Sequence, residues 1–278
     1  MDVSQLLKSA TEQLLNLTDS PRLDAEVLLA HSLQKSRTWL VTWPDKDLPE
    51  SDINQFNTIL QRRISGEPIA HITGMREFWS LPLTVTADTL IPRPDTELMV
   101  EQILDIYPAS SEITLADLGT GTGAIALALA SERPHWKIIA TDQSASALEI
   151  AKQNAHNLNL SNISFKLGNW FEPLGNDSFD VIASNPPYIP RTDPHLKQGD
   201  ARFDPITALA SGDDGLDDIR LITAQARNHL KAHGRLFIEH GYDQKPEMLD
   251  IFTKNGFIEI QQIHDIENNP RITFAITL

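Results

Sequence analysis

The chain has 278 residues, of which 41% are hydrophobic, so it is long enough for two domains and apolar enough to form packed cores. Its formal net charge of −15 disfavours a surface that follows the phosphates of a nucleic acid. The absence of cysteine excludes disulfides, thiolate nucleophiles and cysteine-ligated zinc, and no apolar run is long enough to predict a membrane span.

The first 74 residues have the pattern of a small helical domain. Apolar residues recur at helical spacing from Val3 to Leu15, Pro21 marks the start of a second helix, and a further amphipathic stretch stops at Gly66. We expect residues 1–74 either to present a partner to the rest of the chain or to stabilise it. Since the first residues lack the basic and apolar segments of a signal peptide, we expect a cytoplasmic protein.

Residues 75–92 change to a short-strand composition punctuated by prolines. This composition predicts a β-hairpin that links two domains. Residues 92–97 then read Pro-Arg-Pro-Asp-Thr-Glu, the start of a helix with acidic residues favourably near its N-terminus. Arg93 lies between two prolines of this segment and is a candidate substrate-binding residue.

From Ile113 onward, strand and helix patterns alternate, which predicts a mostly parallel sheet with helices on both faces. The last two strands follow each other without a helix and predict an antiparallel edge. The predicted strands span residues 113–118, 138–142, 163–167, 179–183, 235–239, 257–263 and 271–277. The predicted helices span residues 123–132, 145–157, 215–231 and 244–254. The polar loop between residues 189 and 215 is of a length that is usually functional or disordered.

A glycine-rich turn connects the first strand of this sheet to its first helix. It comprises Gly119, Thr120, Gly121, Thr122 and Gly123. Such a turn lets a ligand approach the backbone closely, and the helix N-terminus attracts anionic groups. Asp142 ends the second strand, where a carboxylate accepts hydrogen bonds from ribose hydroxyls, and Trp170 follows the third, where it can flank an adenine ring. The glycine pattern alone fits a nicotinamide enzyme and an S-adenosylmethionine enzyme equally well.

The segment after the fourth strand is rich in hydrogen-bond acceptors and poor in donors. It comprises Asn185, Pro186, Pro187 and Tyr188, all of them candidate catalytic and substrate-binding residues. The prolines lack N–H donors, and Asn185 adds a side-chain carbonyl. We expect Asn185 Oδ1 and the Pro186 carbonyl to bind the two hydrogens of an –NH2 group, with Tyr188 stacked on its plane. An amino-group substrate favours the S-adenosylmethionine interpretation over a dehydrogenase.

Together these segments resemble the release factor glutamine methyltransferase (PrmC/HemK) family over essentially the whole chain. The matching segments are residues 66–74, 91–97, 117–124, 185–188 and 204–216. The resemblance implies a Rossmann-like, class I S-adenosylmethionine-dependent methyltransferase domain over residues 93–278, with a seven-stranded, mostly parallel sheet. It also implies methylation of the glutamine amide in the Gly-Gly-Gln motif of peptide chain release factors. The implied cofactor contacts are Gly119, Thr120, Gly121, Thr122, Gly123, Asp142, Trp170 and Asn185.

Two alternatives remain open at this point. The Asn-Pro-Pro-Tyr segment is shared with amino-directed DNA methyltransferases, so an exocyclic amine of DNA or RNA is an alternative substrate, although the charge disfavours nucleic acid. A non-catalytic protein that binds a translation factor is the other, which the intact motifs disfavour. We expect no metal site, because His229 and His233 lack the glutamate of a His-Glu-x-x-His motif.

Overall fold

The computed structural model describes all residues from 1 to 278 and divides into two compact units, Met1–Met75 and Arg76–Leu278. The first unit contains five helices: α1 (Val3–Leu14), α2 (Pro21–Leu33), α3 (Arg37–Thr42), α4 (Glu50–Ile64) and α5 (Ile69–Thr73). Their apolar faces share one core that includes Leu28 and Phe56. Asp2 caps α1 by accepting a 2.8 Å hydrogen bond from the Gln5 amide. The predicted helical character of this part is confirmed, while the short helices α3 and α5 are additional.

A two-stranded sheet follows, formed by β1 (Met75–Phe78) and β2 (Leu81–Thr84). The strands occupy residues 75–84 of the 75–92 segment for which a hairpin is predicted. The buried Asn154 makes two hydrogen bonds to Thr84, the last residue of β2. Its Oδ1 accepts from the Thr84 amide at 2.8 Å, and its Nδ2 donates to the Thr84 carbonyl at 3.0 Å. From Arg76 onward the hairpin is itself part of the second unit, and these bonds tie it to the rest of that unit.

The second unit is built on a seven-stranded sheet. Its strands are β3 (Thr114–Leu118), β4 (Lys137–Asp142), β5 (Ile163–Leu167), β6 (Phe179–Ser184), β7 (Leu230–Glu239), β8 (Ile258–His264) and β9 (Pro270–Ile276), in the order β5-β4-β3-β6-β7-β9-β8. The first five strands pair in parallel, and β9 pairs antiparallel with both β7 and β8. The predicted mostly parallel sheet with an antiparallel edge is confirmed.

Helices cover both faces of this sheet. They are α6 (Glu97–Ile106), α7 (Ala124–Glu132), α8 (Ala145–Asn157), α9 (Asp217–Ala226) and α10 (Lys245–Lys254). Two separate apolar cores result, one that includes Leu127 of α7 and one that includes Ile222 of α9. No helix of the chain combines the length and the apolar character that a membrane crossing requires.

The predicted helix over residues 215–231 is wrong at its C-terminal end. Helix α9 stops at Ala226, and β7 begins at Leu230, where the sequence predicts no strand before residue 235. The error has a physical cause, because Leu230 follows Ile222 and Ala226 at helical spacing of four residues. In the structure Leu230 instead pairs with Phe179 of β6.

The long segment between β6 and α9 is folded rather than extended. It contains three short 3₁₀ turns: Pro194–Lys197, Asp200–Phe203 and Ile206–Ala208. Ile189 anchors it, because its amide donates to the Leu209 carbonyl at 2.9 Å and its carbonyl accepts from the Ser211 amide at 3.0 Å. These bonds bring the two ends of the loop together.

Candidate active site

The strand order reverses between β3 and β6, which lie side by side although β4 and β5 separate them in sequence. Leu118 pairs with Ser184 at their carboxyl ends. The Ser184 hydroxyl also donates to the Leu118 carbonyl at 2.8 Å. The glycine turn at 119–123 and the segment 185–188 therefore start from adjacent strand ends, at the position where open α/β sheets bind ligands.

The glycines of the turn serve different purposes. Gly119 and Gly121 have φ angles of 71° and 55° and line the main cleft at this edge. A Cβ atom on Gly119 would lie 3.0 Å from the Trp170 ring, whereas one on Gly121 would meet open space. Gly123 does not line this cleft: it precedes α7, and a Cβ atom there would lie 2.8 Å from the Leu127 side chain. Close helix packing is therefore the structural requirement at Gly123.

Asp142 and Trp170 lie on the opposite side of the main cleft from Asn185 along the sheet edge. Asp142 accepts hydrogen bonds from the Gly121 amide at 2.9 Å and from the Ser144 amide at 2.8 Å. Burial raises the pKa of this carboxyl above its usual value, and the amide bonds oppose the rise. Each carboxylate oxygen has a further lone pair for a ligand hydroxyl. The Trp170 ring is buried against the glycine turn and borders the same cleft.

Two clefts meet at this edge of the sheet. The main cleft has a volume of about 270 Å³, and a smaller one has a volume of about 50 Å³. Gly119, Gly121 and Asn185 line both. Thr120, Thr122 and Arg93 line only the smaller cleft, and Asp142, Trp170 and Pro187 line only the main one. Residues 87–90 and the loop residues Pro205, Thr207 and Ala208 complete the main cleft, and nothing in the sequence pattern singles them out.

Asn185 presents its carbonyl oxygen at the junction of the clefts. Its Nδ2 donates to Thr96 Oγ1 at 3.2 Å, and the Thr96 hydroxyl donates to Glu239 Oε2 at 2.6 Å. No protein donor bonds to Asn185 Oδ1 or to the carbonyl of the buried Pro186. Two acceptors of adjacent residues thus remain without protein partners, as the donor-poor sequence predicts.

Tyr188 lines neither cleft. Its ring packs against the core under α9 and α10, and its hydroxyl donates to Glu239 Oε1 at 3.4 Å. Its carbonyl accepts from Gln244 Nε2 at 2.9 Å. Burial raises the pKa of the Tyr188 hydroxyl well above its usual value, and the nearby Glu239 adds to the rise. The expected stacking of this ring on a substrate group gains no support from its position.

Arg93 connects two of the loops that border the clefts. Its guanidinium contacts Asp204 Oδ2 at 2.5 Å, and the same carboxylate accepts from the Ile91 amide at 3.2 Å. The Asp204 side chain is fully buried, whereas Arg93 is one-third exposed and borders the smaller cleft. The pair joins the segment before α6 to the loop before α9.

Two fully buried carboxyls lie behind the site, and sequence reasoning did not assign either a role. Burial raises the pKa of Asp117 to about 7 and that of Glu239 also to about 7. Asp117 Oδ2 accepts from the Thr120 hydroxyl at 2.6 Å and from the Ala126 amide at 3.2 Å, while its Oδ1 has no partner. Asp117 and Glu239 each lie at or next to the C-terminal end of an apolar strand of the parallel sheet. This position is the feature by which the two residues could be found in the sequence.

The paired histidines at positions 229 and 233 have other surroundings. The His229 ring stacks on Phe171, with centroids 4.6 Å apart, and its Nδ1 lies 3.2 Å from the Asp177 carbonyl. The structure contains no group of three or more histidine, aspartate or glutamate side chains arranged to hold a metal ion.

The main cleft fits a nucleoside-bearing methyl donor. The Asp142 carboxylate lines it with lone pairs of the kind that ribose hydroxyls bind, and the Trp170 ring lines it with an apolar surface of the kind that flanks a base. The open space over Gly121, which a side chain would fill, admits the ligand close to the backbone. None of these features excludes a nucleoside-bearing ligand. The main cleft also adjoins the smaller cleft, which leaves a route for a second substrate.

Comparison with known proteins gives matches over both units. Residues 5–74 match the model of the PrmC N-terminal domain, and residues 109–272 match a methyltransferase domain model. The release factor glutamine methyltransferase of Aliivibrio fischeri is 46% identical over 277 residues, which cover 99% of this chain and 97% of that protein. That of Escherichia coli is 46% identical over 275 residues, which cover 99% of each chain.

A solved structure shows the same fold. The 16S rRNA N2 G1207 methyltransferase of Thermus thermophilus, in complex with S-adenosylmethionine and guanosine, matches with a TM-score of 0.54 and 16% identity. The match covers 73% of this chain and 50% of that one. The second unit therefore has the class I methyltransferase fold.

Proposed function

The chain belongs to the release factor glutamine methyltransferase family, and on this premise we propose that it methylates peptide chain release factors with S-adenosylmethionine. The acceptor is the side-chain amide nitrogen of the glutamine in their Gly-Gly-Gln motif. The observation that supports this most directly is Asn185, which lines both clefts and whose Oδ1 accepts no hydrogen bond from the protein. The carbonyl of the adjacent Pro186, a buried residue that lines neither cleft, also lacks a protein donor.

The main cleft is the proposed cofactor site. Asp142 accepts hydrogen bonds from the ribose, Trp170 borders the adenine, and the open space beside the Gly121 backbone admits the ligand. S-adenosylmethionine supplies there a methyl group that its sulfonium has already activated. The protein therefore needs mainly to hold the acceptor nitrogen in line with that methyl group.

Asn185 and Pro186 hold and orient the glutamine amide. Asn185 Oδ1 accepts one amide hydrogen and the Pro186 carbonyl accepts the other. Such positioning can supply about 7–11 kcal/mol of the barrier in favourable cases. Both hydrogen bonds strengthen as positive charge develops on the nitrogen, so they stabilise the transition state more than the ground state. The excess proton leaves the nitrogen after methyl transfer, and no strong base is required beforehand.

The smaller cleft is the proposed entry for the glutamine side chain. It adjoins Asn185 and is bordered by Arg93, whose charge is held in place by Asp204. We assign the helical unit, residues 1–74, to contact with the release factor or to stabilisation. The proposal further includes a cytoplasmic location and no direct contact with nucleic acid, consistent with the net charge of −15.

Radiolabelled methyl transfer tests the proposed function. The purified protein is incubated with labelled S-adenosylmethionine and with a release factor, with the same factor carrying Gln→Ala at the acceptor, and with DNA. We expect label in the unaltered release factor alone. Label in DNA, or equal label in the Gln→Ala factor, would overturn the proposal and favour an exocyclic amine or another residue as acceptor.

A further inference from the structure

Three polar side chains form a hydrogen-bonded series that ends at the junction of the clefts. It runs from Glu239 at the end of β7, through Thr96 at the start of α6, to Asn185 after β6. Glu239 is 2% exposed and Thr96 is 4% exposed, so water does not compete for the hydrogen bond between them. The series joins residues 143 positions apart in sequence. Thr96 and Asn185 both border the smaller cleft and Asn185 also borders the main one, whereas Glu239 borders neither.

The direction of these bonds is fixed by how many hydrogens are present. The Thr96 hydroxyl has a single hydrogen, and the Glu239 carboxyl in its ionised form offers only acceptors. When Glu239 is ionised, that hydrogen therefore points to Glu239 Oε2, which lies 2.6 Å from Thr96 Oγ1. Thr96 Oγ1 can then only accept from Asn185, so it selects the amino end of the amide. Asn185 Oδ1 is thereby left facing away from Thr96.

The opposite orientation of the Asn185 amide would be harmful. It would place the Nδ2 hydrogens where the proposed reaction needs an acceptor, opposite the two hydrogens of the glutamine amide. Donors would then face donors, and the buried amide hydrogens would be left without partners. An asparagine side chain has nearly the same shape in both orientations, so its own packing cannot select one of them.

We propose that Thr96 and Glu239 are positioning residues that fix the orientation of the Asn185 amide for methyl transfer, an inference that rests on the function proposed above. Tyr188 belongs to the same arrangement, because its hydroxyl donates to the second oxygen of Glu239. Its carbonyl is in turn held by Gln244. The tyrosine of the Asn-Pro-Pro-Tyr segment thus acts on Asn185 through Glu239 and Thr96 rather than as a wall of the cleft.

The first test compares Thr96→Val with Thr96→Ser. Valine keeps the shape and removes the hydroxyl, whereas serine restores it. For Thr96→Val we expect kcat to fall by about 100-fold, on the scale of losing one oriented polar partner. Affinity for S-adenosylhomocysteine, measured by calorimetry, stays close to that of the unaltered protein, and Thr96→Ser recovers most of kcat. An unaltered kcat in Thr96→Val, or an equal loss in Thr96→Ser, overturns the inference.

The second test replaces Glu239. Glu239→Gln keeps one oxygen that can accept from Thr96, and Glu239→Leu keeps none. We expect kcat to fall far more in the leucine variant than in the glutamine variant, with both folded as judged by circular dichroism. Equal kcat in the two folded variants would contradict the role of Glu239 as an acceptor for Thr96.

A third readout does not depend on catalysis. The side-chain amide signal of Asn185 is assigned in a nitrogen-15 NMR spectrum by its loss in Asn185→Ala. We expect slow hydrogen exchange of this amide in the unaltered protein and faster exchange in Thr96→Val. If the protein does not methylate release factors but shows this difference, the proposed function fails and the positioning stands. If it methylates them and exchange is the same in both proteins, the positioning fails.

Discussion

The Ser184 hydroxyl donates a 2.8 Å hydrogen bond to the Leu118 carbonyl, where β6 and β3 end side by side. Both residues are fully buried. The bond spans 66 positions of sequence and fixes the spacing of the two strand ends from which the glycine turn and Asn185 continue. The glycine turn and Asn185 are therefore positioned by the sheet itself.

Ser184→Ala should lower the free energy of unfolding by about 1–3 kcal/mol, because the buried Leu118 carbonyl loses a donor. Urea denaturation measures this change. Ser164→Ala is the matched control, since that exposed hydroxyl lies 3.5 Å from its carbonyl partner, and it should stay within about 0.5 kcal/mol of the unaltered protein. Equal effects of the two substitutions would contradict the importance of the Ser184 bond.

Asp142→Ala should weaken binding of S-adenosylhomocysteine by roughly 10- to 100-fold, because hydrogen bonds to a charged group are worth about 1.5–3 kcal/mol. Isothermal calorimetry measures the affinity. Asp142→Asn keeps one acceptor oxygen and should lose less. An unchanged affinity in Asp142→Ala would mean that the ribose is recognised elsewhere.

The sequence predicts most of this arrangement for a definite reason. Alternating strand and helix patterns imply a parallel sheet, and the carboxyl ends of parallel strands lie at one edge. The turn at 119–123, Asp142 and Asn185 each follow a predicted strand, so their proximity is predictable. The side of the cleft formed by residues 87–90 and 205–208 is not, because irregular segments have no periodicity from which to place them.

The contacts of Thr96, Glu239 and Tyr188 could not be predicted for a different reason. They depend on which side chains meet across three elements far apart in sequence, and a tyrosine after two prolines has the same pattern whether it faces a cleft or a core. The hydrogen bond of Tyr188 to the buried Glu239 is what distinguishes a ring in the core from a ring facing a cleft. In the sequence, the only local sign of this bond is a carboxylate at the end of an apolar strand.

Asp117→Asn should change how stability depends on pH. Burial raises the pKa of Asp117 from 3.8 to about 7, so its neutral form is the one that the folded state favours. Its favourable contribution is complete below about pH 4, decreases as the pH rises, and is lost above about pH 7, a total of roughly 4 kcal/mol. Asparagine does not titrate. The difference in unfolding free energy between the unaltered protein and Asp117→Asn should therefore fall across this interval, and a constant difference would contradict the raised pKa.

Asp204→Ala should loosen the loop between residues 189 and 215. The substitution removes the partner of Arg93 and of the Ile91 amide, so the loop loses its link to the segment before α6. Trypsin should cut faster at Arg191 and Lys197, which are exposed in the same loop.

The matched control for this loop is Asp213→Ala, which removes an exposed carboxylate from the same segment. We expect its rate of cleavage by trypsin to equal that of the unaltered protein. Equal rates in Asp204→Ala and Asp213→Ala would show that the Arg93–Asp204 pair does not hold the loop.

The kcat of Asn185→Ala with a release factor as substrate tests the central claim most directly, measured beside its calorimetric affinity for S-adenosylhomocysteine. If Asn185 Oδ1 holds the glutamine amide in line, kcat should fall by about 100-fold or more while the affinity changes by only a few-fold. A kcat close to that of the unaltered protein would contradict the account.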